Sequence, residues 1–354
     1  MKKLLFLLLM GLIAFDPVNA CTTFLIHKNG KLAFGRNYDW ITDVGMVCSN
    51  LRGLSKTSLK LNEGSTVSWI SRYGSITFNQ YGKEFPMGGM NEKGLVVELM
   101  WLDGSRYPEP DARPALGVLQ WIQYQLDNYS SIEEVIASDS KIRISQIGNP
   151  PIHYLIADLN GQAATIEFLN GKMIVHKGND LPVPVLTNTD YATSSKMLKE
   201  SQQNSDKVAA FNDNSVQRFA NACSMVQQYQ ANGSNQPIIE FSFDVLKKVS
   251  NDDFTKWSIV YDLSNKKIFF KSKSSPQIKW LTYADVDFSC QSAPIVLNMN
   301  QSLEGNVIKE FKPFTKEANA KLLNQAAIES KSQINISEAD IKRDMEYIGS
   351  IKCQ

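Results

Sequence analysis

Histidine is scarce in this chain, with three in 354 residues at His27, His153 and His176. None of its five cysteines forms the close pair that a zinc site uses, so no metal and no other cofactor is expected. A charge surplus is missing too. The first twenty residues hold two Lys and one Asp of 37 basic and 36 acidic residues, leaving 35 of each. A balanced chain gives no reason to expect a nucleic-acid partner, and no polybasic or amphipathic stretch points to membrane docking.

Only one long apolar run occurs, Leu4 to Phe15, and it is short for a membrane-spanning helix. Lys2 and Lys3 precede it and Val18-Asn19-Ala20 follows, which is the pattern of a secretory signal peptide over residues 1–20. Export to a periplasm or the medium is expected, with Cys21 as the first mature residue and no stable membrane insertion. A lipoprotein also carries Cys after its cleavage point, but bulky Asn19 sits where such signals prefer a small residue. The remaining four cysteines, Cys48, Cys223, Cys290 and Cys353, predict at least one disulfide, with three connectivities open. No Pro/Gly/Ser-rich linker divides residues 21–354, and 43% hydrophobic residues suffice for a large core. One domain is expected, with residues 296–354 as a C-terminal helical extension. Whether copies of the chain associate stays open.

What the sequence does hold is turn signals between short apolar runs. Thr22–Lys28 and Lys31–Arg36 flank Asn29-Gly30, the favoured two-residue hairpin turn. Val67–Ile70 and Ser75–Phe78 flank Tyr73-Gly74, and Leu95–Trp101 follows Asn91 to Gly94. The strands His153–Asp158, Ala163–Phe168 and Lys172–His176 form a meander, Val183–Thr187 ends at Asn188, and Trp257–Leu263, Lys267–Lys271 and Gln277–Tyr283 close the series. Helices are predicted over Ala115–Asp127, from a Ser130/Glu133 capping box through Ala137, and over Val216–Tyr229, Phe243–Val249, Lys316–Ser330 and Glu338–Ile348. Hairpins alternating with helices argue for an α+β fold with largely antiparallel sheets.

The first hairpin carries chemistry. If Asn29-Gly30 are its loop, Lys28 pairs with Lys31, Thr23 with Arg36, and Cys21 faces Tyr38, one step from Asp39. Strands about 4.8 Å apart then bring together a thiol, the amine that cleavage creates, a guanidinium and a carboxylate. A bulge near Gly35 is the one local feature that could re-aim these side chains. A free thiol has a pKa of about 8.5 and needs a base. An α-amino group titrates at about 7.7 to 8.0 and can serve as that base, so an N-terminal Cys needs no histidine.

Cys21-Thr22-Thr23, Gly35-Arg36-Asn37-Tyr38-Asp39-Trp40, Gly89-Met90-Asn91-Glu92-Lys93-Gly94-Leu95 and Leu186-Thr187-Asn188 occur in that order. Together they resemble the choloylglycine hydrolase family, N-terminal-nucleophile enzymes that include bile salt hydrolases and penicillin V acylases. The likeness runs from Cys21 to about Tyr283, and the last seventy residues are less familiar. It implies a four-layer αββα sandwich, two antiparallel sheets faced by helices. It also implies hydrolysis of a linear carbon–nitrogen amide bond in a small-molecule N-acyl amide through a Cys21 thioester. In that reading Asp39 positions the amine, Arg36 lies against the thiol, Asn188 offers its side-chain N–H to the oxyanion, and Arg218 supports the group. The second oxyanion donor would be the backbone N–H of Trp101, where bile salt hydrolases carry Asn and penicillin V acylases Tyr. Trp101 therefore leaves the acyl amide unnamed.

Other conspicuous residues read as structure: Asn91 to Gly94 as a hairpin turn, Trp69, Trp121, Trp257 and Trp280 as core, and the three histidines as satisfied interior groups. Two other functions remain in view. Cys-Thr-Thr also opens some dipeptidases, and a lipidated Cys21 would make the chain a surface binding protein.

Overall fold

The computed structural model describes residues 21–203, 214–231, 235–251 and 253–354. Two large sheets form its centre. One has seven strands, in the order Val185–Leu186, Thr22–Lys28, Lys31–Asp39, Thr255–Asp262, Lys267–Ser272, Lys279–Thr282 and Gly305–Asn306, antiparallel except for the last pair. The other has nine antiparallel strands, running from Lys172–Lys177 at one edge through Ile152–Ala157, Val96–Trp101 and Met46–Asn50 to Lys312–Pro313 at the other.

Interdigitating aromatic rings fill the space between the sheets. Phe78 of the nine-stranded sheet meets Tyr261 and Phe270 of the seven-stranded one edge-on, at 6.2 and 5.6 Å between ring centres. Such pairs add to their area burial because each ring's edge meets another's negative face. Helices α1 (Val118–Asn128) and α2 (Ile132–Ala137) cover the outer face of the larger sheet, with Trp121 on Tyr154 at 4.5 Å. After α3 (Tyr191–Gln203), helices α4 (Asn214–Ala231) and α5 (Ile238–Lys248) cover the smaller sheet. The layers are thus α, β, β, α, as the family resemblance implies.

The Asn29-Gly30 turn takes positive φ at both residues, 50° and 73°, as a type I′ hairpin turn requires. Its register is the one the sequence predicts, Lys28 against Lys31 and Thr23 against Arg36, and it runs unbroken to Thr22 opposite Asn37. No bulge falls at Gly35. Glycine is needed there because the Phe24 ring presses on it; an added Cβ would lie 2.2 Å from the ring. The irregularity lies instead in the neighbouring strand, between Thr255 and Trp257.

Several readings need correction. Ser68–Ile70 and Ser75–Asn79 do not form a hairpin. The first pairs with Leu54–Thr57 in a separate three-stranded sheet, and the second lies inside the nine-stranded one. The α2 cap is one residue later than predicted: Ser131 Oγ accepts from the Glu134 N–H, and Glu134 bonds back to Ser130. Ala115-Leu116 is a short strand, so α1 begins at Val118. His27 is exposed, and Trp280 is only half-buried. The other three tryptophans are core, and the Asn91 side chain holds its turn to the end of α1 by donating to Leu126 O and Tyr129 O.

Helices α6 (Lys316–Glu329) and α7 (Glu338–Ser350) lie close to their predicted ranges. Beyond them Cys353 is disulfide-bonded to Cys290, with Cα atoms 5.4 Å apart, while Cys21, Cys48 and Cys223 are free and buried. Thiol counting in denaturant is expected to give three free groups before reduction and five after. Closing 63 residues of chain, the bridge is expected to contribute about 2–4 kcal/mol. An unchanged unfolding midpoint in the Cys290→Ser/Cys353→Ser double variant would show that the bridge contributes nothing.

Candidate active site

Cys21 opens the seven-stranded sheet, buried at one end of a cavity of about 730 Å³. Its sulfur lies between the backbone N–H of Asp39, which donates to it at 3.3 Å, and the Asp39 carbonyl at 3.7 Å. The paired strands fix that position, since Thr22 and Asn37 are the last partners before the sulfur. The Asp39 side chain is buried beside it, and among the described residues neither carboxylate oxygen has a well-formed hydrogen bond. Burial raises the Asp39 pKa from 3.8 to about 6; the Thr255 hydroxyl, Arg218 and Arg36 offset this only in part. The thiol is likewise pushed up, to about 11, first by burial and then by the Asp39 charge, against the weaker pull of Arg36, the Asp39 N–H and Arg218.

Arg36 is wholly buried. It donates to the carbonyls of Met87 and Leu99, both at 3.1 Å, and forms an ion pair with buried Glu98 at 2.5 Å. Its charge reaches the thiol through space, while its hydrogen bonds go elsewhere. Glu98 also accepts from the Tyr261 hydroxyl, yet burial lifts its pKa to about 7. Nothing in the sequence reasoning singled out Glu98; the signal was a carboxylate set within the apolar run Leu95–Trp101.

Arg218 reaches in from α4. It donates to the Cys21 carbonyl at 2.6 Å, to the Thr22 hydroxyl at 2.7 Å and to Asn188 Oδ1 at 3.0 Å. A guanidinium only donates, so it holds the oxygen of the Asn188 amide and turns Nδ2 the other way. Nδ2 donates to the Trp101 carbonyl at 2.9 Å. The Trp101 N–H faces the same side. Leu102 N–H bonds to Pro151 O across the ladder, and alternation along an antiparallel strand sends the Trp101 groups to the opposite edge. The Trp101 indole is half-buried on the cavity wall, 6.1 Å from Trp40.

A bed of residues that the sequence did not reveal carries Asn188. Ser215 accepts from the Asn188 N–H at 2.9 Å. His153 bonds to the Thr187 carbonyl at 2.7 Å and to Glu167 at 3.0 Å. Burial alone would raise the Glu167 pKa, but hydrogen bonds from His153 and His176 hold it at about 2. His153 and Glu167 lie on adjacent strands of the meander. Their one sequence signal was a polar residue in each of two apolar runs.

All six residues singled out beforehand therefore converge: Cys21, Arg36, Asp39, Trp101, Asn188 and Arg218. Among the described residues no group of three or more His, Cys, Asp or Glu could hold a metal, and no helix is long and apolar enough to cross a membrane. Layered sheets of this form, with the site at the start of a strand, are those of amide hydrolases with the N-terminal-nucleophile fold. Residues 21–296 match the linear amide C–N hydrolases, choloylglycine hydrolase family, and the chain belongs to that family. It is 26% identical to penicillin V acylase of Pectobacterium atrosepticum over 345 residues, covering 83% of this chain and 90% of that one. It is 28% identical to bile salt hydrolase/transferase of Clostridium perfringens over 188 residues, 48% of this chain and 53% of that protein. The solved penicillin V acylase of Agrobacterium tumefaciens superposes with a TM-score of 0.72 at 25% identity, covering 83% of this chain and 98% of its own. In fold alone, a variant of the conjugated bile acid hydrolase of Clostridium perfringens is also similar, with a TM-score of 0.67 at 19% identity over 81% of this chain and all of that one.

The raised Asp39 pKa has a measurable consequence for stability. Between about pH 4 and 6 the folded chain holds a proton that the unfolded chain has released, so stability falls as pH rises through that window and stays lower above it. In the chain that keeps residues 1–20, Asp39→Asn is expected to be stabilising at pH 7, by up to about 3 kcal/mol at 1.36 kcal/mol per pKa unit. Below pH 4 it should be nearly neutral. Thermal unfolding at both pH values checks this, and a loss of stability at pH 7 would mean that the carboxylate already has a partner.

Proposed function

We propose that removal of residues 1–20, in an exported chain, frees the Cys21 α-amine and turns this site into a hydrolase of N-acyl amides with large apolar acyl groups. The observation that carries this reading is the buried Asp39 carboxylate beside the Cys21 thiol, which among the described residues has only the weak approach of the Thr255 hydroxyl. A buried acid so weakly bonded is costly, and the α-amino group that cleavage would supply can donate an N–H to it whether neutral or protonated. The pair would hold the amine in place and lower the Asp39 pKa.

The steps follow from that arrangement. The neutral amine takes the thiol proton, and the sulfur adds to the amide carbonyl. The oxyanion then lies toward Asn188 Nδ2 and the Trp101 N–H, donors fixed in advance by Arg218 and by the strand. Asn188 Nδ2 would exchange the Trp101 carbonyl for it or use its second hydrogen. Collapse expels the leaving amine, which takes the proton from the Cys21 ammonium. Water, deprotonated by the Cys21 amine, then splits the thioester to release a carboxylic acid and the free enzyme.

The substrate reading rests on the cavity. Its volume lies within the range of small-molecule sites, and Tyr38, Trp40, Phe85, Met87 and Leu99 make its inner walls apolar. Bile salts and phenoxyacyl β-lactams, on which the names of the relatives bear, both present such groups.

Cys21→Ala is expected to abolish turnover, as is a retained Met ahead of Cys21, because the base becomes an amide nitrogen. Asn188→Ala should lower kcat by about 10²- to 10³-fold with a smaller change in KM. Both are read from steady-state kinetics on a panel of conjugated bile salts, penicillin V and N-acyl homoserine lactones. Full activity with a blocked amine would overturn the mechanism, and a change in KM alone would make Asn188 a binding residue.

A further inference from the structure

Residues after 296 lie outside the stretch that matches the family, yet they return to the Cys21 cavity. Leu323 of α6, Ile334 and Ile336 of the loop between α6 and α7, and Arg343 of α7 line the same 730 Å³ space as Cys21 and Trp101. Ile334 and Ile336 are half-buried and pack on the main core.

This segment is fastened at several points, one of them in the cavity wall itself. The Ser330 hydroxyl bonds to the Tyr81 hydroxyl at 2.8 Å and accepts from Trp40 Nε1 at 3.3 Å, while Trp40 Nε1 also donates to Tyr81 at 2.7 Å. Trp40 and Tyr81 themselves line the cavity, so the fastening is part of its wall. Thr42 donates to Glu329, and Asn319 accepts from the Lys83 N–H at 2.8 Å. The Tyr347 ring lies on Phe85 at 5.5 Å. At the far end Lys352-Cys353 pairs with Leu54-Ser55 as a short strand, and the Cys290–Cys353 bridge fixes it. Arg343 is bound by Asp340 at 2.8 Å and Asp344 at 3.2 Å, so its charge is already satisfied within α7.

We propose that residues 297–354 form the far wall of the acyl pocket, with Ile334 and Ile336 as specificity-determining residues that set the length and bulk of the acyl group accepted. This rests on the proposed function. The acyl group stays bound to Cys21 while the amine must leave to water, so the apolar side chains of the cavity suit the acyl part. With the Arg343 charge met by Asp340 and Asp344, Ile334 and Ile336 are what this segment offers an apolar acyl end. A methylene-sized misfit in such a pocket is worth about tenfold to 200-fold in rate, so selection should be graded along a chain-length series.

The test uses the mature full-length protein with either Ile334→Trp or Ile336→Trp to fill the space, and Ile336→Ala to enlarge it. Substrates are N-acyl-4-nitroanilides from acetyl to dodecanoyl. The Trp variants should lower kcat/KM at least tenfold for dodecanoyl and leave acetyl within twofold, while Ile336→Ala should shift the preference towards longer chains. A uniform loss across the series, or an unchanged ranking, would overturn the proposal. If wild type hydrolyses no acyl amide in this or the earlier panel, the proposed function fails, and a second readout still decides the wall. It compares Cys21 alkylation by iodoacetamide and by N-decyl iodoacetamide, followed by peptide mass. A tenfold drop in the decyl-to-parent rate ratio in a Trp variant supports the wall, and an unchanged ratio overturns it.

Discussion

Everything at the site is referred to one antiparallel pairing, that of Thr22–Lys28 with Lys31–Asp39. Because side chains alternate along a strand, a slip of one residue would send every side chain of the slipped strand to the other face. The Asn29-Gly30 turn sets the count at one end, and the Gly35–Phe24 contact requires it in the middle. At the other end the count delivers the Cys21 sulfur to the Asp39 backbone. Arg218 then reads that position from outside the hairpin, through the Cys21 carbonyl and the Thr22 hydroxyl, and passes it to Asn188. Cys21 and Asn188 are thus located by one another through a single guanidinium.

Charge is buried here at a cost that stability alone does not explain. Arg36 and Glu98 are both fully buried, and taking two charges out of water is recovered only when geometry and further hydrogen bonds are good. Arg36 meets that condition with two backbone carbonyls, though its Nε has no partner. A second cluster behind the cavity joins Lys56 to Glu84 at 2.5 Å and to Asp127 at 2.9 Å, with Lys83 on Glu84 at 2.7 Å. It ties the three-stranded sheet to α1 and to the turn before Phe85. Glu84, held by both lysines, is the residue before Phe85 of the cavity wall.

How much of this was legible in the sequence depended on the range of the interaction. Asn29-Gly30 announces a type I′ turn by residue type alone and holds the expected register, and Asn170-Gly171 takes positive φ at both residues in the same way, with Leu169 opposite Lys172. Convergence of Cys21, Arg36 and Asp39 followed from counting pairs along one hairpin. Asn188, Arg218 and Trp101 are far apart in the chain, and only likeness to a known motif set brought them together. Where two apolar runs flanked a turn-like dipeptide, as at Tyr73-Gly74, local reading joined strands that belong to different sheets. Pairing partners there are chosen by the core, not by the turn. The bed under Asn188 and the return of the C-terminal segment depend on contacts such as Ser330 with Tyr81, which no local pattern encodes.

Trp101 shows what such a layout permits. Its main chain faces Asn188 while its indole forms part of the cavity wall. Exchanging the ring alters the shape of the chamber and leaves the N–H and carbonyl where the strand puts them. In the proposed reaction fit and chemistry would be carried by different atoms of one residue, so drift at this position could try new substrates without first giving up the old reaction.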